Sequence, residues 1–248
     1  MPKHVMLNNI AHKDLRVITR KAAEFGDNVG TVMAVPTEFA EMQREYPIFF
    51  RKDPNTGEFV SVALLGFSKD ENLFLDERGW NATYVPALMA RGPFLIGFQE
   101  RQEGGEMRRD PVIHLDLEDP RVSTTEGEPV FLPQGGNSRY LEHVGTILNG
   151  INLGLTVSKA MFEAFTAAEL IEPLKLEVTI NSEERYNVLG LHTNSQQKLA
   201  TLNAETLHKL HREGFLHCAF LVANSLPNVQ RLIDLKNRRR ARQAATAS

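Results

Sequence analysis

A chain of 248 residues, 42% hydrophobic and 24% charged, can bury a substantial core, which excludes an intrinsically disordered protein. Its formal charge of −3 provides no global field to attract nucleic acid or an anionic membrane. The single cysteine, Cys218, excludes an intramolecular disulfide and suits a reducing cytoplasm.

The first residues, "MPKHVMLNNIAHKDLRVITRK", interrupt any apolar run with His4, Asn8, Asn9, His12, Lys13 and Asp14, so no secretory signal is read. The rest of the first forty residues give no clear pattern. "YPIFFRKD" and "EFVSVALLGF" are aromatic and β-branched and flank "DPNTG", which predicts a β-hairpin. After the short apolar "NLFL" comes "WNATYVPALMARGPF", residues 80 to 94. There Pro86 can open a short helix, Gly92 can take a left-handed cap position, and Pro93 prevents continuation. "FLIGF" and "VIHLDL" read as strands separated by a charged loop, "QERQEGGEMRRD".

The period changes at Tyr140. Leu141, Val144, Leu148, Ile151, Leu155, Phe162 and Phe165 follow at three- and four-residue steps and predict a long helix, either continuous or broken at its glycines. The uncharged part from His143 to Ser158 contains Asn149, Asn152 and glycines and falls short of the roughly 20 apolar residues of a bilayer span. Thr146, Gly150 and Gly154 form a ridge of small residues, read as internal packing in preference to a dimer seam. "LKLEVTI" and "RYNVLGL" predict a second hairpin around "NSEE". Ser195, Asn203 and Ser225 then read as N-caps of three helices, with Gly214 stopping the middle one. The basic tail "KNRRRARQAATAS" is expected to fray into solvent.

The fold class is therefore α+β: a largely antiparallel N-terminal sheet region over 1–135 and a helix-rich region with a hairpin and basic tail over 136–248. No linker separates them, so one integrated domain is expected.

Chemistry is sparse. His114 and Asp116, two apart on a strand, share a face and suit a non-haem iron if His143 or His192 joins them. His208, His211, His217 and Cys218 are zinc-ligand types without a zinc spacing. Cys218 in "LHCAFLVA" reads as a small core residue rather than a nucleophile. Lys236, Arg238, Arg239, Arg240 and Arg242 could touch phosphates, although a solvated helix end explains them more simply. No phosphate-binding loop, dinucleotide fingerprint, nucleophile elbow or His-Glu-x-x-His occurs. No cofactor is implied. The densest aromatic cluster remains: Trp80, Tyr84 and Phe94 as anchors of a short element, with Arg91 the charge that core packing explains least.

The succession "YPIFF", "VALLGF", "NLFL", "WNATYVPALMARGPF" and "LHREGFLHCAFLVANSLPNVQRLI" resembles the SapC family of bacterial proteins across nearly the whole chain. The resemblance implies an association with a bacterial surface layer and with neighbours such as outer-membrane receptors and flavin-dependent halogenases. It brings no agreed catalytic residues. Family members carry "RRYPF" where this chain has "ARGPF", so Ala90 and Gly92 depart from the pattern. The resulting expectation is a soluble, cytoplasmic, non-catalytic binding or accessory protein. Its expected partner is a peptide or protein, bound through Trp80, Tyr84, Arg91 and Phe94. The alternatives are a non-haem iron oxygenase or halogenase-associated enzyme, and nucleic-acid binding by the tail.

Overall fold

The computed structural model describes residues 3–103, 106–180 and 184–247. The N-terminal segment supplies β1 (His4–Met6), β2 (Arg16–Val17), β3 (Thr31–Ala34) and a one-turn helix α1 (Phe39–Met42). The first predicted hairpin forms as β4 (Ile48–Lys52) and β5 (Phe59–Leu64). Its turn is built by Asp53, which accepts the Asn55 and Thr56 N–H groups at 2.8 and 3.0 Å, and by Gly57 at φ +72°. Two short strands, β6 (Leu75–Asp76) and β7 (Gly79–Trp80), precede helix α2 (Ala87–Ala90). Pro86 stands immediately before α2, and Gly92 follows at φ +57°.

The long hairpin β8 (Phe94–Glu103) and β9 (Glu106–Asp116) corrects the expected charged loop. The ladder runs through it, pairing Gln99 with Asp110 and Glu100 with Arg109. Backbone hydrogen bonds need no apolar side chains, so a ladder can run through charged sequence. The glycines at 104–105 lie outside the described residues. Next come β10 (Val122–Ser123), β11 (Glu128–Pro129) and α3 (Arg139–Ala167), then the second hairpin, β12 (Ile171–Thr179) and β13 (Arg185–Asn194). Residues 181–183 of its "NSEE" turn are outside the described residues. The chain ends with α4 (Gln196–Ala200), α5 (Ala204–Arg212), α6 (Phe215–Ser225) and α7 (Asn228–Ala247).

Helices take 37% of the chain and strands 28%, with the helices gathered toward the C-terminus, so the fold is α+β. Among the described residues every strand pairing is antiparallel. No helix among them is long and apolar enough to cross a membrane.

Two compact units divide the chain: Met1–Asp27 with Ala87–Leu153, and Asn28–Pro86 with Gly154–Ser248. The first contains the sheet β1-β9-β8 and the small ribbon β10-β2-β11. Its core is Val17, Phe94, Leu115, Val130, Phe131, Leu141, Val144 and Leu148. The second contains the five-stranded sheet β12-β13-β4-β5-β3, whose two hairpins, far apart in sequence, join where Leu191 pairs with Arg51 and His192 with Phe50. Phe50 meets Phe162 of α3 edge to face, ring centroids 5.0 Å apart.

Helix α3 is continuous through its glycines, which settles the open alternative of a break, and has residues in both units. Leu141, Val144, Leu148 and Ile151 are buried in the first, and Met161, Phe162 and Phe165 in the second. Leu155 is 47% exposed despite its spacing, because its neighbour Gly154 takes the packed position. A Cβ on Gly154 would stand 2.6 Å from Cβ of Val35 and 2.7 Å from Oγ1 of Thr37. Among the described residues nothing lies within 4 Å of one on Gly150, so of these two glycines it is Gly154 that meets a close neighbour.

Of the three expected caps, the hydroxyl of Ser195 and the side-chain oxygen of Asn203 accept the Lys198 and Thr206 N–H groups. Gly214, at φ +78°, separates α5 from α6. Ser225 is a correction. It ends α6, and its buried hydroxyl accepts the Ile48 N–H at 2.9 Å while donating to the Val222 carbonyl at 2.6 Å. A strand N–H without a ladder partner has claimed the oxygen that local chemistry would assign to a cap.

The glycines of α3 separate two costs. Gly154→Ala is expected to lose about 1–3 kcal/mol to overpacking. Gly150→Ala, which gains helix propensity in open space, is expected to gain roughly 0.5–1 kcal/mol. Urea unfolding of both variants checks the opposite signs.

Candidate functional site

Trp80 and Tyr84 belong to the second unit, where they close a network with residues some forty positions upstream. The Trp80 indole N–H donates to the Tyr46 hydroxyl at 2.9 Å and to the Tyr84 carbonyl at 3.2 Å, and the Tyr46 hydroxyl donates to that same carbonyl. Glu45 Oε2 accepts the N–H groups of Thr83 and Tyr84 at 2.8 and 3.1 Å, while its Oε1 accepts from Arg231 at 2.9 Å. The Tyr84 hydroxyl donates to Glu38 Oε2 at 2.8 Å, and Glu38 Oε1 accepts the Val35 N–H at 3.1 Å. Glu38 and Glu45 are both buried. Burial pushes both phenols above their ordinary range, assisted at Tyr84 by the Glu38 charge. The tyrosines therefore remain neutral donors, and the polar handles of Trp80 and Tyr84 point inward.

Glu38, Glu45, Tyr46 and Arg231 carry no local signal that could have joined them to Trp80. The turn at Thr83 and Tyr84 leaves N–H groups without strand partners, and only the tertiary fold brings a carboxylate to them.

Arg91 and Phe94 belong to the first unit. Phe94 has no exposed surface and packs edge-on against Tyr140 at 6.0 Å. Its ring is a core element rather than a contact surface, because the ladder pairs it with buried Leu115. Arg91 is half-buried and donates to the Phe94 carbonyl at 2.5 Å. Burial lowers its pKa, with Asp119 opposing and Arg121 adding to the effect.

The metal candidates are not assembled: among the described residues no three His, Cys, Asp or Glu side chains stand together as a cation site. The His114 ring lies against Gly97, where a Cβ would approach it to 2.6 Å. Asp116 Oδ1 accepts the Lys3 and Glu118 N–H groups at 2.9 and 3.1 Å, and His4 Nε2 is 4.0 Å from Oδ2. His143 lies exposed on α3, and His192 packs edge-on against Phe59 at 5.1 Å. His208 and His211 are exposed on α5, and His217 is exposed on α6. Cys218 is half-buried, and burial raises its thiol pKa above the ordinary value.

The basic tail does not fray as expected. It continues as α7, because its cations find acceptors within the second unit. Lys236 reaches Glu71 at 2.6 Å and Glu184 at 3.4 Å, Arg240 reaches Glu184 at 3.0 Å, and Arg239 donates to the carbonyls of Asn72 and Leu75 at 2.7 and 2.6 Å. Burial opposes the Lys236 charge, yet hydrogen bonds to Glu71 and Tyr186 outweigh it and raise its pKa. Arg238 and Arg242 are exposed.

One concave feature of the second unit is a groove of about 720 Å³ between α3, α5 and the start of α6. One wall is a helical stripe, Val157, Ala160, Ala164 and Ala167, at steps of three and four. Phe215 closes the base, and Glu163, Lys209 and Glu213 supply its charges. In the sequence the stripe is legible only as part of a long helix. Its small side chains give no composition signal, and the opposing wall comes from fifty residues downstream.

Comparison with known proteins matches residues 7–232 to the family described as SapC. No curated protein and no solved structure shows a significant match.

Two measurements follow. Tyr46→Phe removes the acceptor of the Trp80 N–H and a donor to the Tyr84 carbonyl, and is expected to cost about 1–3 kcal/mol. The emission of Trp80, the only tryptophan, reports the loosened network during denaturant unfolding. Cys218 is expected to react with a disulfide reagent at pH 7 at least about tenfold more slowly than free cysteine, its rate rising only above the ordinary thiol pKa of about 8.5. Equal rates at neutral pH would contradict the burial argument.

Proposed function

The chain belongs to the SapC family, and from that premise we propose that it is a non-catalytic accessory protein whose work is to bind a helical segment of a partner protein. The observation that carries this reading is the groove beside α3. A wall of alanines spaced at helical steps lets a second helix approach closely, as ridges pack into grooves. The occupant is an amphipathic helix with a basic flank. The rim offers Glu163 and Glu213 against Lys209, one negative charge in excess. Those side chains are exposed, so the charges set orientation more than affinity.

The inward-facing polar groups around Trp80 and Tyr84 support the same reading. That cluster holds the unit together, and the surface it stabilises does the binding. Phe94 is enclosed, which leaves Arg91 as the remaining sequence candidate with polar capacity of its own.

The test is an NMR titration of the isotope-labelled full chain with a helical peptide bearing an apolar stripe and a basic flank, beside a scrambled control. Shift changes are expected within 156–167 and 209–215. Ala164→Arg, which fills the groove from an only partly buried position, is expected to weaken binding at least about tenfold, equivalent to about 1.4 kcal/mol. Changes mapped elsewhere, or unaltered affinity in a folded Ala164→Arg protein, would remove the proposal.

A further inference from the structure

The first unit holds a separate cluster of charges around residues 21, 91, 121 and 140. Its two acids are already committed. Asp27, 1% exposed, accepts from Arg121 Nη2 at 2.6 Å through Oδ1 and from the Ala22 N–H at 2.9 Å through Oδ2. Asp119 accepts from Arg121 Nη1 at 3.2 and 3.3 Å and from the Arg121 N–H at 2.8 Å. Arg121 itself is 8% exposed, lies over the Phe25 ring at 5.4 Å, and has a buried Nε–H with no hydrogen-bond partner.

The other two cations are left with carbonyls. The Lys21 ammonium donates to the Met89 carbonyl, and one Arg91 Nη donates to the Phe94 carbonyl at 2.5 Å. Both side chains are half-buried, and among the described residues neither has a carboxylate at ion-pair distance. Contacts hold them together. Lys21 reaches the α2 turn that carries Arg91, and Ala22, beside Lys21, is tied to Asp27. A Cβ on Gly92 would lie 3.8 Å from the Tyr140 hydroxyl, which makes no hydrogen bond among the described residues. Burial opposes the Lys21 charge, while Asp27 favours it, Arg121 opposes it and Asp119 favours it; Tyr140 likewise feels Arg121 and Asp119. Glu128 also acts on Tyr140 but is exposed, where water screens it.

Three cations against two acids leave one positive charge in excess in a partly desolvated setting. Such a charge is costly unless an anion meets it. The unused donors are a lysine ammonium, most of a guanidinium and a phenol, a set that suits the several acceptor oxygens of one small anion.

We infer that Lys21, Arg91 and Tyr140, backed by Arg121, form a binding site for a small oxyanion, a phosphate or carboxylate group of a ligand. Arg91 takes the anion in its guanidinium fork, Lys21 supplies the second charge, and the Tyr140 hydroxyl fixes orientation. Arg121 is a positioning residue that engages both Asp27 and Asp119 in hydrogen bonds. The site lies in the first unit and stands or falls independently of the groove in the second.

The test titrates inorganic phosphate, and separately acetate, into the isotope-labelled full chain at constant ionic strength, following arginine Nε–Hε resonances. A saturable shift at Arg91 is expected in the unaltered protein; read at Arg121, whose charge acts on Arg91 and which every variant keeps, the dissociation constant is expected to rise at least about tenfold in Arg91→Gln and in Lys21→Gln. Tyr140→Phe keeps the ring against Phe94 and should weaken binding several-fold without unfolding the unit. The stronger of the two anions identifies the ligand group as phosphate or carboxylate. A response that does not saturate, or one shared equally by all three variants, overturns the site.

Discussion

A carboxylate removed from water must be given donors, and that requirement at Glu38 and Glu45 organises the second unit. Each receives a backbone N–H and a side-chain donor from different stretches of chain. Glu45 thereby ties the turn after Trp80 to Arg231 on α7, near the other end of the sequence. Removing one partner would strand a buried charge, which is far more costly than the pair's net contribution to stability. Around this point Tyr46, Phe74 and Trp80 pack as tilted and stacked rings, so directional bonds and apolar burial reinforce one arrangement.

That constraint shapes what the surface can do. A tryptophan whose indole N–H is engaged, and a tyrosine whose hydroxyl is held by a carboxylate, have little directional capacity left for a ligand. Capacity remains where the fold leaves concavity or unmatched charge. In the second unit this is the alanine-lined groove. In the first it is the pair of cations resting on carbonyl oxygens beside Arg121. Histidines occur throughout the chain, but two ligand types sharing a strand face do not make a site without a third group converging on them.

The parts of the fold legible in sequence are those set by local chemistry. Both hairpins followed from β-branched and aromatic runs beside turn residues, and Ser195, Asn203 and Gly214 punctuate helices because their preferences act within a few residues. The charged arms of the β8–β9 hairpin carry no apolar alternation for a sequence pattern to detect, because backbone pairing alone makes the ladder there. Ser225 was misread for a related reason, since its hydroxyl serves a strand 177 residues away in sequence. The tail was expected to fray because its acceptors, Glu71, Asn72, Leu75 and Glu184, are invisible to any window around it.

By itself, the sequence determined the α+β class, the two hairpins, the long amphipathic helix and membership of a family, because propensity, periodicity and ordered motifs are properties of neighbouring residues. The tertiary structure alone decided that the two hairpins share one sheet, that α3 serves two cores, that the aromatic handles face inward and that Lys21 joins Arg91. These outcomes depend on which distant groups satisfy a buried charge or an unpaired N–H, and that choice is made only when the chain closes on itself.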